Sequence, residues 1–393
     1  MSDLKIFANI IEDEAKEQID AIMRSPAFAH SRVRIMPDVH AGKGCVIGFT
    51  GELSDKVIPN VVGVDINCGM MGFSLGKIDI DFKQLDRHIK QQIPSGLAVR
   101  SKEFKSFPFE DLKCFHALQN VDRLRKSLGT LGSGNHFLEV DQDSLGNKYL
   151  IVHSGSRNLG LQVAKYYQNK AIEYCSNEKR KFEKQLLITY HKNTGTEDKI
   201  QASLERYDRE NPHIPHDLAY LEGELMQDYL HDMQICQNFA DENRLAILLI
   251  ISAFMGWGEN IKPAFNVRHN YIDLEHGIVR KGAISAQENE TVLIPINMRD
   301  GCILGRGLGN PDYNYSAPHG AGRLMSRKAA KENISLEDFK NSMSNIYTST
   351  VDNSTLDEAP MAYKPIESIL ENIKDTVEII DILKPLYNFK AGE

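Results

Sequence analysis

The chain has 393 residues, of which 41% are hydrophobic and 25% charged; this is a length for one large domain or two, with enough apolar material for a core, and it excludes a mainly disordered polymer. The net charge is −8, and the lack of a Lys/Arg excess argues against a protein that coats nucleic acid nonspecifically, though not against a local basic groove. The longest apolar run, Leu245 to Phe254, is about half of the ~20 residues a membrane helix needs, and the acidic N-terminus lacks the apolar segment of a secretory signal, so a cytoplasmic location is expected.

Residues 1–160 read as short buried strands between glycine-rich polar loops. Val33 to Met36 runs into Pro37, Val57 to Val64 is β-branched, and Tyr149 to Val152 repeats the pattern. Val163 to Tyr190 and Asp217 to Arg244 have helical composition and almost no glycine, and the polar segment His191 to Pro215 between them reads as a connection containing a short helix. Strands and glycine loops return after residue 260 and give way to a helical stretch, broken by turns, from Leu336 to Ile382. There is no internal repeat, low-complexity tract or clean linker. Polar motifs lie on both sides of the helical segment. The expected architecture is therefore α+β: a single large domain over residues 1–393, with mixed and antiparallel sheets around a central metal site and a helical insertion at about 161–244.

The six cysteines, Cys45, Cys68, Cys114, Cys175, Cys236 and Cys302, are scattered without a CxxC pair; in a cytoplasmic chain of this size they are not a disulfide framework. Asp65 and Cys68 stand three apart just past an expected strand, where a turn can direct both at one point. A carboxylate and a thiolate together suit a divalent transition metal. Gly132-Ser133-Gly134-Asn135-His136-Phe137-Leu138-Glu139 places an amide, an imidazole and a carboxylate after a glycine turn. His153 ends an apolar strand and is followed by Ser154-Gly155-Ser156-Arg157, a combination suited to phosphate, and His269 follows another apolar run. A lone histidine is more often structural than a ligand. Three at strand edges, with Asp65 and Cys68, supply five ligands, enough for two metal ions if the thiolate bridges.

Ser316-Ala317-Pro318-His319-Gly320-Ala321-Gly322-Arg323 exposes backbone N–H groups to an anion beside an arginine, a setting in which a neutral imidazole attacks phosphorus. No GxxxxGK[ST] loop is present, which disfavours a P-loop NTPase. The loop expected at Pro37-Asp38-Val39-His40-Ala41-Gly42-Lys43-Gly44 adds a further Gly/His/Lys cluster.

PDVHAGKGCVIG, GVDINCGM, GSGNHFLE, HSGSR, RHN, RKGA and SAPHGAGR occur in this order, and with them the chain resembles the RtcB-type RNA-splicing ligase family from about residue 30 to Lys390. The resemblance implies a GTP- and manganese-dependent ligase that joins an RNA 2′,3′-cyclic phosphate or 3′-phosphate end to a 5′-hydroxyl end. By matching, Cys68 bridges two Mn²⁺ ions, His153 and His269 complete one site, and Asp65 and His136 the other. His319 matches the histidine that carries GMP, Asn135 contacts that phosphate, and Gly320 and Gly322 flank it. Glu139, Tyr363 and Lys390 match guanine-contacting positions, and Arg157 and Arg323 basic residues near the RNA backbone. Where many members carry two serines in the guanosine pocket this chain has Asn297 and Cys302, a departure that leaves the nucleotide preference open, and Arg299 and Asp300 between them suggest a subfamily with a different RNA substrate, damaged RNA rather than spliced tRNA. The alternatives are a metal-dependent cyclic phosphodiesterase that opens RNA ends without joining them, and a non-catalytic RNA-binding protein. His319 argues against the first, and the full ligand set argues against the second.

Overall fold

The computed structural model describes residues 3–8, 11–210, 213–258 and 263–391. Its β-branched and aromatic runs build two principal sheets. The larger has strands in the order Thr291–Asn297, Gly301–Gly307, Val377–Lys390, Phe137–Gln142, Lys148–Ser154, Gly69–Gly76 and Pro263–Arg268, each antiparallel to the next, with Tyr347–Thr348 added in parallel to Val377–Lys390. The two outer strands of that path touch, so the sheet curls nearly into a barrel. The smaller sheet runs Asp3–Ile6, Arg32–His40, Ile47–Glu52, Ile278–Lys281 and Asn270–Asp273. A separate pair, Ala283–Ser285 with Ser316–Pro318, follows it in sequence.

The helical segment is wider than composition suggests and is of two kinds. Gly223–Met255 buries Met233, Phe239, Ile247 and Ile251 and lies across the strands Gly69–Gly76 and Lys148–Ser154. Arg157–Tyr174 packs beside it through Leu159, Val163 and Tyr167. Both belong to the core. Asn177–Asn193 and Ile200–Glu210 instead pack on each other and leave Phe182, Leu186 and Tyr190 exposed, so this hairpin is the part that projects. The break at Cys175 is set by Ser176, whose hydroxyl accepts from Lys179 N–H and starts a new helix.

Three strand and helix expectations change. Of Val57–Val64 only Val57 lies in a strand, Lys56–Val57, because Pro59 occupies the first position of the helical turn Pro59–Val62, where its missing N–H and fixed φ cost nothing. The strand begun at Val33 continues through Pro37 to His40; its register breaks between Ile35 and His40, the kind of irregularity that tolerates a proline. The stretch 336–382 is helical only in part: Leu336–Ser342 and Ile366–Ile373 are helices, whereas Val377–Lys390 is a strand held between Gly301–Gly307 and Phe137–Gln142. Among the described residues no helix is long and apolar enough to cross a membrane, and all six cysteines are unpaired.

Candidate active site

The register of the larger sheet collects the metal-type residues. Gly69 pairs with both Ser154 and Arg268, Phe137 pairs with His153, and Lys390 pairs with Phe137. Cys68, His153, His269, His136 and Lys390 therefore stand in one row at one end of five adjacent strands. Antiparallel order brings starts and ends of strands to the same edge, which is why residues up to 322 positions apart in sequence (Cys68 to Lys390) become neighbours. Asp65 joins them through a tight turn in which Cys68 N–H donates to Asp65 O at 3.2 Å and Asn67 adopts φ 58°. Asn67 is anchored to Gln237 O and Asp241 Oδ1 at 2.8 and 3.0 Å. Gly155 leaves room for the carboxylate: a Cβ there would lie 2.1 Å from Asp65 Oδ1.

Cys68 Sγ lies 3.2 Å from His153 Nε2 and 3.4 Å from His136 Nε2, and His136 Nε2 lies 3.1 Å from Asp65 Oδ2. The rings of His153 and His269 are 5.1 Å apart. Two ligand groups result, Cys68/His153/His269 and Asp65/Cys68/His136, each with its donor atoms within 4.8 Å of one another and both sharing the Cys68 sulfur. His136 Nδ1 lies 3.0 Å from Leu131 O; with a cation on Nε2 in place of the proton shared with Asp65, Nδ1 would carry the N–H toward that carbonyl. The Arg157 guanidinium lies over Gly132, 3.1 Å from that same Nδ1. Burial, with neighbouring histidines adding to it, drives His153 and His269 well below the ordinary imidazole range, so both rings are neutral. Burial would raise Asp65, but the His136 hydrogen bond and the charges of His136 and Arg157 bring it down to about 2. Burial and the Asp65 charge push the Cys68 thiol well above its usual range, an effect a nearby cation reverses. Neutral imidazoles, a carboxylate and a shared sulfur fit a pair of divalent transition metals.

His319 comes from the other side of the cleft. It follows Ser316–Pro318, and its Nδ1 bonds the buried Asp38 Oδ2 at 2.8 Å from the strand Arg32–His40. Nδ1–H donates to the carboxylate, so Nε2 carries the lone pair. The ring lies 5.1 Å from the His269 ring. A cleft opens beside it, lined by Asn135, Glu139, His153, His269, Asn297, Gly320, Gly322, Arg323, Tyr363 and Lys390 among others. Its wall is a buried ionic hub. Glu358 Oε2 accepts from Lys390 Nζ at 2.7 Å and Tyr363 OH at 2.6 Å, and Arg327 lies 2.8 Å from Oε1. Lys390 Nζ also donates to Asn135 O at 2.9 Å. Burial opposes ionisation of Glu358, but Lys390 and Arg327 outweigh it and hold the carboxyl at about 2.

The cleft thus gathers most of the residues expected from sequence, and the remainder are placed differently. Cys302 is fully buried behind the wall and donates to Glu139 Oε1 at 3.2 Å. Asn297 lines the cleft, but its amide caps its own turn, donating to Asp300 Oδ2 at 2.8 Å and accepting from the N–H groups of Arg299 and Asp300 at 3.0 Å. Arg157 sits against the metal-type residues. Arg323 is held by Tyr363 OH at 3.2 Å, by Met325 O at 3.0 Å and by Asp357 O at 2.5 Å. Three participants carry no assigned role in the sequence reading: Asp38, Glu358 and Asn388, the last donating to Glu139 Oε2 at 3.0 Å. Asp38 lies in the PDVH motif, where a carboxylate next to a Gly/His loop was the available signal. Glu358 and Asn388 sit in segments without any local pattern.

A family model described as tRNA-splicing ligase RtcB matches residues 18–120 and 110–391. The chain is 31% identical to "RNA-splicing ligase RtcB1" of Escherichia coli (strain ATCC 25922), over 97% of this chain and 95% of that protein. It is 30% identical, with the same coverage, to "RNA-splicing ligase RtcB" of Escherichia coli (strain K12). It is 26% identical to "tRNA-splicing ligase RtcB" of Archaeoglobus fulgidus, over 92% of this chain and 87% of that protein. With the match spanning both sheets and every strand end that carries a candidate ligand, the chain belongs to the RtcB family.

Proposed function

We propose that the protein is an RNA ligase that joins a 2′,3′-cyclic phosphate or 3′-phosphate end to a 5′-hydroxyl end, using GTP and two Mn²⁺ ions, by way of GMP bonded to His319, in tRNA splicing or RNA repair. The names of its relatives support the reaction class. The observation that carries the reading is the Asp38–His319 pair facing a cleft whose other wall holds two ligand groups sharing one sulfur.

Asp65, Cys68, His136, His153 and His269 would hold the cations, which when bound neutralise phosphate charge and act as Lewis acids. Asp38 keeps the proton on Nδ1 of His319 and offsets the positive charge that develops on the ring as Nε2 attacks the α-phosphorus of GTP. The N–P bond forms as the bond to pyrophosphate breaks. Lys390, fixed by Glu358 and Asn135 O, brings a positive charge to the cleft wall with no rotamer search. The RNA 3′-phosphate then takes GMP from His319, and the 5′-hydroxyl displaces GMP to form the phosphodiester. A cyclic phosphate is first hydrolysed to the 3′-phosphate. Gly320 and Gly322 keep the backbone beside His319 free of side chains, so the phosphates approach closely.

The test is end-joining of an RNA carrying a 3′-phosphate and a 5′-hydroxyl, with GTP and Mn²⁺. Wild type is expected to join it, and His319→Ala to leave it open. Joining by His319→Ala at the wild-type rate overturns the assignment of the nucleophile. Opening of cyclic phosphate ends with no joining at any nucleotide concentration leaves the phosphodiesterase reading instead.

A further inference from the structure

One stretch beside the cleft departs from the acidic character of the chain. Residues 94–126 carry seven Lys or Arg against four Asp or Glu, a net +3 within a chain of net −8. The stretch is fixed to the loop that brings Asn135 into the cleft. Ser95 pairs with Gly132, Gly96 N–H donates to Gly132 O at 2.6 Å, and Leu131 N–H donates to Pro94 O at 2.9 Å. The same Gly132 lies against the Arg157 guanidinium. Gly96 has φ 63°, so the chain turns there and presents Leu97 to solvent, 86% exposed.

The side chains beyond Leu97 combine uncompensated positive charge with exposed apolar surface. Arg100, Lys102 and Arg123 make no ion pair among the described residues; Arg100 donates to Gln92 O at 2.9 Å and Arg123 donates to Leu97 O. Three of the four acidic residues are already engaged: Arg125 pairs with Glu110 and lies 4.0 Å from Glu103, and Lys126 holds Asp122 at 2.7 Å. Phe104 is 40% exposed, with the Arg100 guanidinium 5.6 Å from its ring centre. Arg100 N–H in turn donates to Lys126 O at 3.0 Å, which ties this part of the loop to the helix Val121–Arg125 that carries Arg123. Free guanidiniums beside an exposed ring suit a single nucleic-acid strand, whose phosphates meet the charges and whose bases stack on the ring. Apolar side chains interleaved with cations do not form the contiguous apolar patch that a protein partner would cover.

We propose that Arg100, Arg123 and Phe104, with Leu97 at the cleft end, form a track for single-stranded RNA flanking the ends to be joined. The track rests on the ligase reading for the reason a strand lies there, but binding along it needs no chemistry at His319. It implies a substrate with several unpaired nucleotides next to the break, as in a cleaved loop.

The test measures fluorescence anisotropy of a labelled single-stranded RNA ending in a 3′-hydroxyl, which carries no phosphate to accept GMP, on full-length protein over a range of KCl concentrations. Each phosphate contact to a single strand contributes about 0.7 to the slope of log affinity against log salt. Arg100→Ala/Arg123→Ala should therefore flatten the slope by about 1.4 and weaken binding on the order of tenfold at ~0.1 M salt. Phe104→Ala should weaken binding by about tenfold with the slope retained. Arg206→Ala, on the projecting helix Ile200–Glu210, should match wild type in both. If the double variant does not fold, Arg123→Ala alone should flatten the slope by about 0.7. Wild-type affinity and slope in the arginine variants would overturn the track and assign Leu97 and Phe104 to a protein contact. Joining of reactive ends by wild type is measured alongside. Weakened binding in the variants with no joining by wild type supports the track and overturns the ligase reading, whereas joining with unchanged binding overturns the track alone.

Discussion

Glu358→Gln tests the electrostatic frame of the cleft. The wild-type carboxyl is 2% exposed and is contacted by Lys390, Tyr363, Arg323 and Arg327. Its pKa falls from an ordinary 4.5 to about 2 on folding. A depressed carboxylate stabilises the fold above its unfolded pKa, and the stabilisation is lost as pH falls through the folded one. A carboxyl lowered from 4.5 to about 2, at ~1.36 kcal/mol per pKa unit, gives about 3 kcal/mol at pH 7 and, by the linkage relation, roughly half of that at pH 3. Glutamine keeps the shape and removes the charge, leaving Lys390 without its buried counter-ion. Urea unfolding of wild type and variant at both pH values reads the difference directly. The account predicts a destabilisation of about 3 kcal/mol at pH 7 that shrinks by about half at pH 3. A loss below about 1 kcal/mol at pH 7, or one that does not change with pH, would refute the reasoning.

Other perturbations read the site and the frame separately. Asp38→Asn replaces the acceptor of the His319 Nδ1 proton with a group that can donate to it, favouring the wrong tautomer; a fall of roughly 10²–10⁴ in the rate of nucleotide transfer to the protein is expected, with little change in thermal stability, measured by single-turnover labelling. Gly155→Ala would place a Cβ 2.1 Å from Asp65 Oδ1 and should displace that ligand, so manganese affinity measured by calorimetry falls while far-ultraviolet circular dichroism is retained. Phe182→Ser with Leu186→Ser falls on the exposed side of the projecting helix Asn177–Asn193 and should change unfolding free energy by no more than about 0.5 kcal/mol; a loss of several kcal/mol would mean that this face packs in the native state.

The site was more legible than the fold around it. Asp65, Cys68, His136, His153, His269 and His319 each lie in a short motif whose residue types declare their chemistry, and the sheet register brings their ends together. Partners that act through long-range pairing left no such mark. Glu358 is one acidic residue in an irregular segment, and only the fold puts it beneath Lys390 and Tyr363. Composition identified helices between 161 and 244 but not which faces are covered, because helical propensity is the same for Gly223–Met255, which crosses the sheet, and Asn177–Asn193, which projects from it. Val377 to Ile382 reads as the end of the helical C-terminal stretch, yet it begins the strand Val377–Lys390 between two neighbouring strands, a case of tertiary pairing overriding local pattern. Cys302 leaves the nucleotide preference open in sequence; only the fold shows its thiol buried against Glu139.

The central claim is that His319 carries the nucleotide. Incubation of the purified protein with α-labelled GTP and Mn²⁺, followed by peptide mapping under alkaline conditions that preserve a phosphoramidate, tests it most directly. The account predicts one acid-labile GMP adduct on the peptide containing His319, absent from His319→Ala. An adduct on another residue, or none from wild type that retains both ions, would contradict it.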